Sequence, residues 1–239
     1  DELVQQWSDI EAVVERVAPS GDVSVRIAPE TIDELMSAVR EGVPADVLLQ
    51  RIASLRHSSP APRMERMAEQ ARRLANRLGK EVQVSVELGD VQVPVEELRP
   101  LWAALTHAVR NSVDHGIESA EERARVGKPE CGHITLSLQQ EQDDLVLAVR
   151  DDGRGVDWNA VRARAEALGV EVDDPSELLF VDGLSTRTEA SLVSGRGVGM
   201  SALRDAIQEL EGTMTVDSVP GAGTAVIFRM PHLRARAAA

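Results

Sequence analysis

Along residues 81–88 polar and apolar positions alternate without a break, with Val82, Val84, Val86 and Leu88 on one side and Glu81, Gln83, Ser85 and Glu87 on the other. A period of two is that of a strand with one wet face. Two more alternating stretches, 133–140 and 144–150, meet at Gln142-Asp143-Asp144 and predict a hairpin. A second hairpin joins 213–219 to 223–230 through Pro220-Gly221-Ala222-Gly223. Between these stretches the period becomes helical. Met64, Met67, Ala71, Leu74 and Leu78 form a stripe ending at Gly79. Further helices are predicted from Pro100 to about Asp114, over 158–168 ending at Gly169, and over 198–211 ending at Gly212. Hairpins interleaved with helices predict an α+β fold, a two-layer sandwich of a mixed, mostly antiparallel sheet with helices on one face.

The N-terminal quarter reads as short helices. One spans 2–17, with Leu3, Trp7, Ile10, Val13, Val14 and Val17 on one face, and Pro19 and Gly21 end it. Thr31 and Glu34 have capping-box spacing for a helix through Arg40, closed by Gly42, and a third helix runs from Ala45 to Leu55. Ser58-Ser59-Pro60-Ala61-Pro62 reads as a linker. The expected organisation is a helical segment at 1–57, a main domain at 62–231 and a tail at 232–239.

Composition narrows the function. A chain of 239 residues can bury a core without staples. Its net charge of −14 argues against nucleic acid or an anionic membrane as partner, since both need a basic face. The single cysteine, Cys131, excludes an internal disulfide and suits a reducing compartment. No apolar run reaches membrane-span length and no signal-peptide pattern opens the chain. With three Trp, two Phe and no Tyr, the core is expected from Val, Leu, Ile and Ala, and base-stacking platforms are disfavoured. Lys80 and Lys128 are the only lysines. A start at Asp1 rather than Met predicts a piece of a longer protein.

Four elements carry chemistry. On a helix, His107, Asn111, Asp114 and His115 fall at i, i+4, i+7 and i+8 and share a face, apart from the stripe of Leu101, Leu105, Ala108 and Ser112. A solvated polar face has the same look, but an Asn carbonyl is a hard oxygen ligand suited to Mg²⁺ bridging phosphates. Zinc on His, Asp and His lacks the usual spacing and ranks below magnesium. Next, Asp151-Asp152-Gly153-Arg154-Gly155 follows a strand directly. A carboxylate there accepts a hydrogen bond from an amine such as the adenine N6, although Asp-Asp-Gly is also ordinary turn chemistry. Gly195-Arg196-Gly197-Val198-Gly199-Met200 opens a helix, whose N-terminal N–H groups cradle phosphate. It is neither Walker A nor a dinucleotide fingerprint. Finally, 181–197 is rich in Ser, Thr and Gly and reads as a mobile lid.

In this order and spacing the four elements resemble the ATPase superfamily shared by histidine kinases, gyrase, Hsp90 and MutL. Within it, His107-x-x-x-Asn111-x-x-Asp114-His115-Gly116-x-Glu118 is similar to the CheA-type chemotaxis histidine kinases. The likeness extends to Glu121-Glu122-Arg123, Gly127-Lys128-Pro129, Gly132, Pro100-Leu101 and Leu78-Gly79-Lys80-Glu81-Val82, and covers roughly residues 55–230.

The resemblance implies the Bergerat type of ATPase sandwich, with ATP and Mg²⁺ as cofactors. It implies that Asp151 reads adenine, that Asn111 and His115 ligate the metal, and that His107, Arg110 and His115 face the phosphates. Asp114, Gly153, Gly155 and Thr224 join the nucleotide site, and Ser185, Thr186, Arg187 and 195–200 close over it. Superfamily members that hydrolyse ATP carry a water-activating Glu where this chain has His107, so transfer to a protein histidine is favoured over hydrolysis. The implied partners are a histidine phosphotransfer domain, in the same protein or in trans, a downstream response regulator, and an array of chemoreceptors and coupling proteins. The implied location is the bacterial cytoplasm. Leu184 departs from the family's lid motif, and Ala160 stands where the family often has Lys, with Arg162 and Arg164 nearby. These departures keep open an alternative, a catalytically impaired nucleotide-binding docking module. The acceptor histidine is expected elsewhere. Pro19, Gly21, Pro29, Gly42 and Pro44 break 1–54, which leaves dimerisation through that segment open.

Overall fold

The computed structural model describes residues 27–55, 57–94, 97–170, 172, 174–181 and 200–231. The predicted helix at 2–17 lies outside them. The chain divides after Leu55 into two units. In the first, helix α1 spans Pro29–Arg40 and helix α2 spans Ala45–Ser54. The expected capping box at Thr31 is not used. Pro29 supplies a first helical residue with φ already set, Ala28 is the N-cap, and Thr31 falls inside the helix. Gly42, at φ +73, ends α1 as expected.

The second unit contains helix α3 (Ala61–Arg77), strand β1 (Val82–Leu88) and helix α4 (Arg99–Asn111), which continues as a π-helical turn over Ser112–Gly116. Helix α5 (Ala120–Arg125), strands β2 (Gly132–Glu141) and β3 (Asp144–Asp151), and helix α6 (Trp158–Leu168) follow. A 3₁₀ turn (Pro175–Phe180), helix α7 (Met200–Gln208) and strands β4 (Thr213–Val219) and β5 (Gly223–Pro231) complete it. The stretch read as a linker belongs to this unit from Ser58 onward. Ser58 exchanges two backbone hydrogen bonds with Val93, at 2.9 and 3.1 Å, and Pro60 is the N-cap of α3.

Among the described residues the sheet has five strands, in the order β1-β2-β3-β5-β4. Only β1 and β2 are parallel, because α3 precedes β1 and α4 crosses over between the two strands. The other pairs are antiparallel, and they include the two predicted hairpins, β2–β3 and β4–β5. One face carries the core. Ile134, Leu136 and Leu138 of β2, Leu147 and Val149 of β3, and Phe228 of β5 pack there with Met64 and Ala71 of α3, Leu101 and Leu105 of α4, and Ile207 of α7. The other face is polar along β2. Ser85 and Thr135 share a hydrogen bond of 3.1 Å across β1 and β2, and Arg150 donates to Ser137 Oγ at 3.0 Å. Strand β3 is central and apolar on both faces, so Val146 and Ala148 are also buried.

Three features differ from the pattern reading. Helix α4 ends at Asn111 rather than Asp114, since the turn widens there. Helix α7 ends at Gln208, and Glu211, at φ +58, turns the chain before Gly212. Helix α5 and the 3₁₀ turn are additions. Both are capped by side chains, Ser119 accepting from Glu122 N at 3.3 Å and Asp174 accepting from Ser176 N at 2.8 Å.

Phe228 is fully buried, opposite Leu147 on one side and Met214 on the other. Phe228→Ala is expected to destabilise the second unit by about 3–5 kcal/mol, read as a lower urea midpoint at unchanged slope.

Candidate nucleotide-binding site

Helix α4 buries Leu101, Leu105 and Ala108, and this packing fixes the opposite side of its last turn. Beyond Asn111 the ladder changes register. Ile117 N–H donates to Ser112 O at 2.8 Å, an i→i+5 bond that closes the π-turn. The last carbonyls of such an end have no partner within the helix. Here Lys80, just before β1, supplies one. Its Nζ donates to Val113 O and Asp114 O, each at 2.8 Å. Burial, then Arg154, lowers the Lys80 pKa.

The wider turn directs Ser112, read from the sequence as part of the apolar stripe, at a carboxylate. Ser112 is buried and its Oγ donates to Asp151 Oδ2 at 2.8 Å. His107 is half-buried on α4, and burial followed by the Arg110 charge pushes its pKa down, which favours the neutral imidazole. Arg110 pairs with Asp114 at 3.2 Å. Asn111 Nδ2 lies 3.9 Å from Met200 Sδ, so α4 and α7 meet at two of the expected site residues. His115 is exposed on the π-turn.

Asp151 ends β3. Besides Ser112, it accepts from Gly153 N–H at 3.0 Å. Burial raises its pKa, and the neighbouring Asp152 adds to the rise, against the hydrogen bonds from Ser112, Gly153 and the Thr224 backbone. The loop after Asp151 runs backbone against backbone on both flanks. A Cβ on Gly153 would overlap the carbonyl of Gly116, to which Arg154 N–H donates at 2.9 Å. On the other flank Gly155, at φ +71, lies against Val219 O, and Gly221 N–H donates to Arg154 O at 2.7 Å. A Cβ on Gly223 would overlap Asp151 O. Ser218 fastens this flank by accepting from Val156 N–H at 2.8 Å and donating to Gly223 O at 3.0 Å. Thr224 faces Asp151 across β3 and β5, with its Oγ1 3.0 Å from Ser218 Oγ. A side chain at Gly116 would begin 3.0 Å from Asp151 Oδ2, so glycine there leaves the carboxylate uncovered.

Behind the loop lies an ion cluster. Arg123, fully buried, donates to both carboxylate oxygens of Asp152, at 3.1 and 2.8 Å, to Glu118 Oε2 at 3.1 Å and to Pro129 O at 2.6 Å. Lys128 pairs with Glu118 at 2.8 Å. Burial pushes the Glu118 and Asp152 carboxyls up. Lys128 hydrogen bonding to Glu118, and His133 N–H and Arg123 donating to Asp152, outweigh it and hold both below the ordinary range. Ala160 sits in the first turn of α6, where its N–H is capped by Asp157 Oδ1 at 3.0 Å, and Arg162 Nε donates to Trp158 O at 3.3 Å.

The structure therefore brings together Asp151, Gly153, Gly155, Gly116 and Thr224, and separately Asn111 with Met200. Ser185, Thr186, Arg187, Gly195, Arg196, Gly197, Val198 and Gly199 lie outside the described residues, as does most of the stretch read as a lid. Sequence reasoning missed Ser112, Lys80 and Ser218, and gave the Glu118–Arg123–Lys128–Asp152 cluster no role. Two signals mark some of them: a hydroxyl interrupting an apolar stripe marks Ser112, and the scarcity of lysine marks Lys80 and Lys128.

Among the described residues no three of His, Cys, Asp and Glu gather to hold a metal ion, as a zinc site needs. A magnesium ion shared with phosphates needs only one or two protein oxygens. The Asn111 amide, whose nitrogen is turned toward Met200, fits that demand. The glycine-lined carboxylate of Asp151 fits an amino-purine.

Residues 98–234 match the family model described as histidine kinase-, DNA gyrase B-, and HSP90-like ATPase. The chain is 40% identical over 169 residues to the chemotaxis protein CheA of Halobacterium salinarum, covering 67% of this chain and 25% of that one. It is 32% identical over 264 residues to the gliding motility regulatory protein of Myxococcus xanthus, covering 94% and 34%. It is 32% identical over 207 residues to the chemotaxis protein CheA of Cereibacter sphaeroides, covering 84% and 29%. The chain thus spans a quarter to a third of the length of these relatives. It belongs to the histidine kinase-, DNA gyrase B- and HSP90-like ATPase family, and within that family it is an ATP-binding catalytic domain of the CheA type.

Proposed function

We propose that the chain transfers the γ-phosphoryl group of ATP to a histidine on a separate phosphotransfer domain, as the catalytic core of a chemosensory kinase. The observation that carries the base end of this reading is the Asp151 carboxylate, held by Ser112 and Gly153 and left open by Gly116. It accepts from the adenine N6 amine. At the other end Asn111, His107, Arg110 and His115 line the α4 and π-turn segment that faces the phosphates. Asn111 and His115 would hold a Mg²⁺ ion, which would supply charge neutralisation on the phosphates. His107 supports transfer over hydrolysis, because a half-buried neutral imidazole orients a phosphate without serving as a carboxylate base for water. The histidine domain, a response regulator and a receptor and coupling-protein array are the proposed partners, and the cytoplasm is the proposed location. No described helix is long and apolar enough to cross a membrane. The docking-module alternative differs in one readout, magnesium-dependent nucleotide binding without transfer.

Asp151→Asn removes a charge-assisted hydrogen bond of about 1.5–3 kcal/mol and is expected to weaken ATP roughly ten- to hundred-fold in a titration, with the fold retained. Unchanged affinity would overturn the adenine assignment.

The charge-assisted bond from an amine to Asp151 exists only while the carboxyl is ionised. Because burial has raised its pKa, ATP affinity should decline on acidification before ordinary carboxylates titrate. The sign for folding is opposite. The folded chain holds the proton more tightly than the unfolded chain, so this group's contribution to stability falls as pH rises through the same window. Calorimetric titration and urea midpoints across that window check both slopes.

Asn111→Ala is expected to abolish transfer of labelled phosphate from Mg-ATP to a phosphotransfer domain while adenosine binding persists, because the two residues serve opposite ends of the nucleotide. Equal loss of adenosine and Mg-ATP binding would contradict the division.

A further inference from the structure

Two of the 26 cationic residues are lysine, and both ammonium groups end on paired backbone carbonyls at the site. Lys80 holds the π-turn. Lys128 holds the loop after Asp151, donating to Asp152 O at 2.9 Å and Gly153 O at 2.6 Å, with Glu118 Oε1 as its third acceptor at 2.8 Å. An ammonium group places three donors around a point, whereas a guanidinium spreads its donors in a plane. Three acceptors converging on one nitrogen therefore call for lysine.

The consequence follows from peptide geometry. In a planar trans peptide the C=O and the N–H point in opposite directions. The peptide whose carbonyl is Asp152 O carries Gly153 N–H, which donates to Asp151 Oδ1 at 3.0 Å. The next, whose carbonyl is Gly153 O, carries Arg154 N–H, which donates to Gly116 O at 2.9 Å. One ammonium behind the loop thus orients two N–H groups on its far side. The first fixes the carboxylate of Asp151, and the second fixes the glycine that leaves it uncovered. The bidentate Arg123–Asp152 pair keeps the neighbouring carboxylate on the rear side, out of competition for the same role.

We infer that Lys128 is a positioning residue for base recognition. It sets the direction in which Asp151 accepts a hydrogen bond, and with it the preference for a 6-aminopurine over a 6-oxopurine nucleotide. The inference rests on the reading of Asp151 as the group that meets the base.

The test compares ATP and inosine triphosphate, each with Mg²⁺, binding to the full chain and its variants. The readout is the ratio of the two affinities, which a merely structural role leaves unchanged because both nucleotides weaken together. The wild type is expected to prefer ATP, and Asp151→Asn to lose that preference. Lys128→Met is expected to reduce the ratio about tenfold, the loss of one well-aligned charge-assisted bond, chiefly through weaker ATP. Lys128→Arg keeps the charge beside Glu118 but not the convergent geometry, and is expected to reduce the ratio several-fold. It decides the matter if Lys128→Met does not fold. A wild-type ratio in the folded Lys128 variants, with Asp151→Asn impaired, overturns the role of Lys128 and leaves the base assignment standing. No preference in the wild type overturns both.

Discussion

The loop from Asp152 to Gly155 passes between two other backbones with no side chain to separate them. On one flank it meets the π-turn at Gly116, on the other the β4–β5 hairpin at Val219 and Gly223. The approach is possible only where Cβ atoms are missing, and it is fastened by Arg154 N–H to Gly116 O and by Gly221 N–H to Arg154 O. This confinement gives the Asp151 carboxylate one position. A carboxylate on a freely moving loop would be solvated and would discriminate poorly. Here it is desolvated and aimed, and its raised pKa is the electrostatic cost of that aim.

The rear of the loop is held by charge. Arg123 and Lys128 face Glu118 and Asp152, two cations against two carboxylates, and among the described residues no buried side-chain nitrogen or oxygen lacks a partner. Buried ion pairs of this kind add little net stability over apolar packing, but removal of one member leaves an uncompensated charge. Their value here is geometric. Lys80 meets a related problem on the other wall. The C-terminal end of a helix carries partial negative charge, unfavourable beside a triphosphate in a chain whose net charge is already −14. An ammonium on the Val113 and Asp114 carbonyls offsets that charge at the turn proposed to face the phosphates.

Much of this was legible in the sequence, for local reasons. Strand β1 has a perfect period of two, both hairpins carry turn residues at their joints, and Gly153 and Gly155 follow a strand end in an evident turn pattern. What was hidden depends on partners distant in the chain. No local pattern marks an i→i+5 turn, so helical periodicity carries α4 on to about Asp114 and places Ser112 in an apolar stripe rather than against Asp151, 39 positions away. Helix α5 has only six residues and no apolar periodicity to announce it, although Ser119 and Glu122 form the capping box whose spacing Thr31 and Glu34 also show. The roles of Gly116 and Gly223 appear only when the backbones they meet are known.

The most direct measurement is carbon-13 NMR of the Asp151 side-chain carboxyl, titrated with pH in the free chain and with saturating adenosine or inosine. A donor approaching from the base stabilises the ionised form. The account predicts that adenosine lowers the Asp151 pKa from its raised value in the free chain and that inosine, which presents an oxygen at that position, does not. A titration curve that adenosine leaves unmoved would contradict the placement of the base at Asp151.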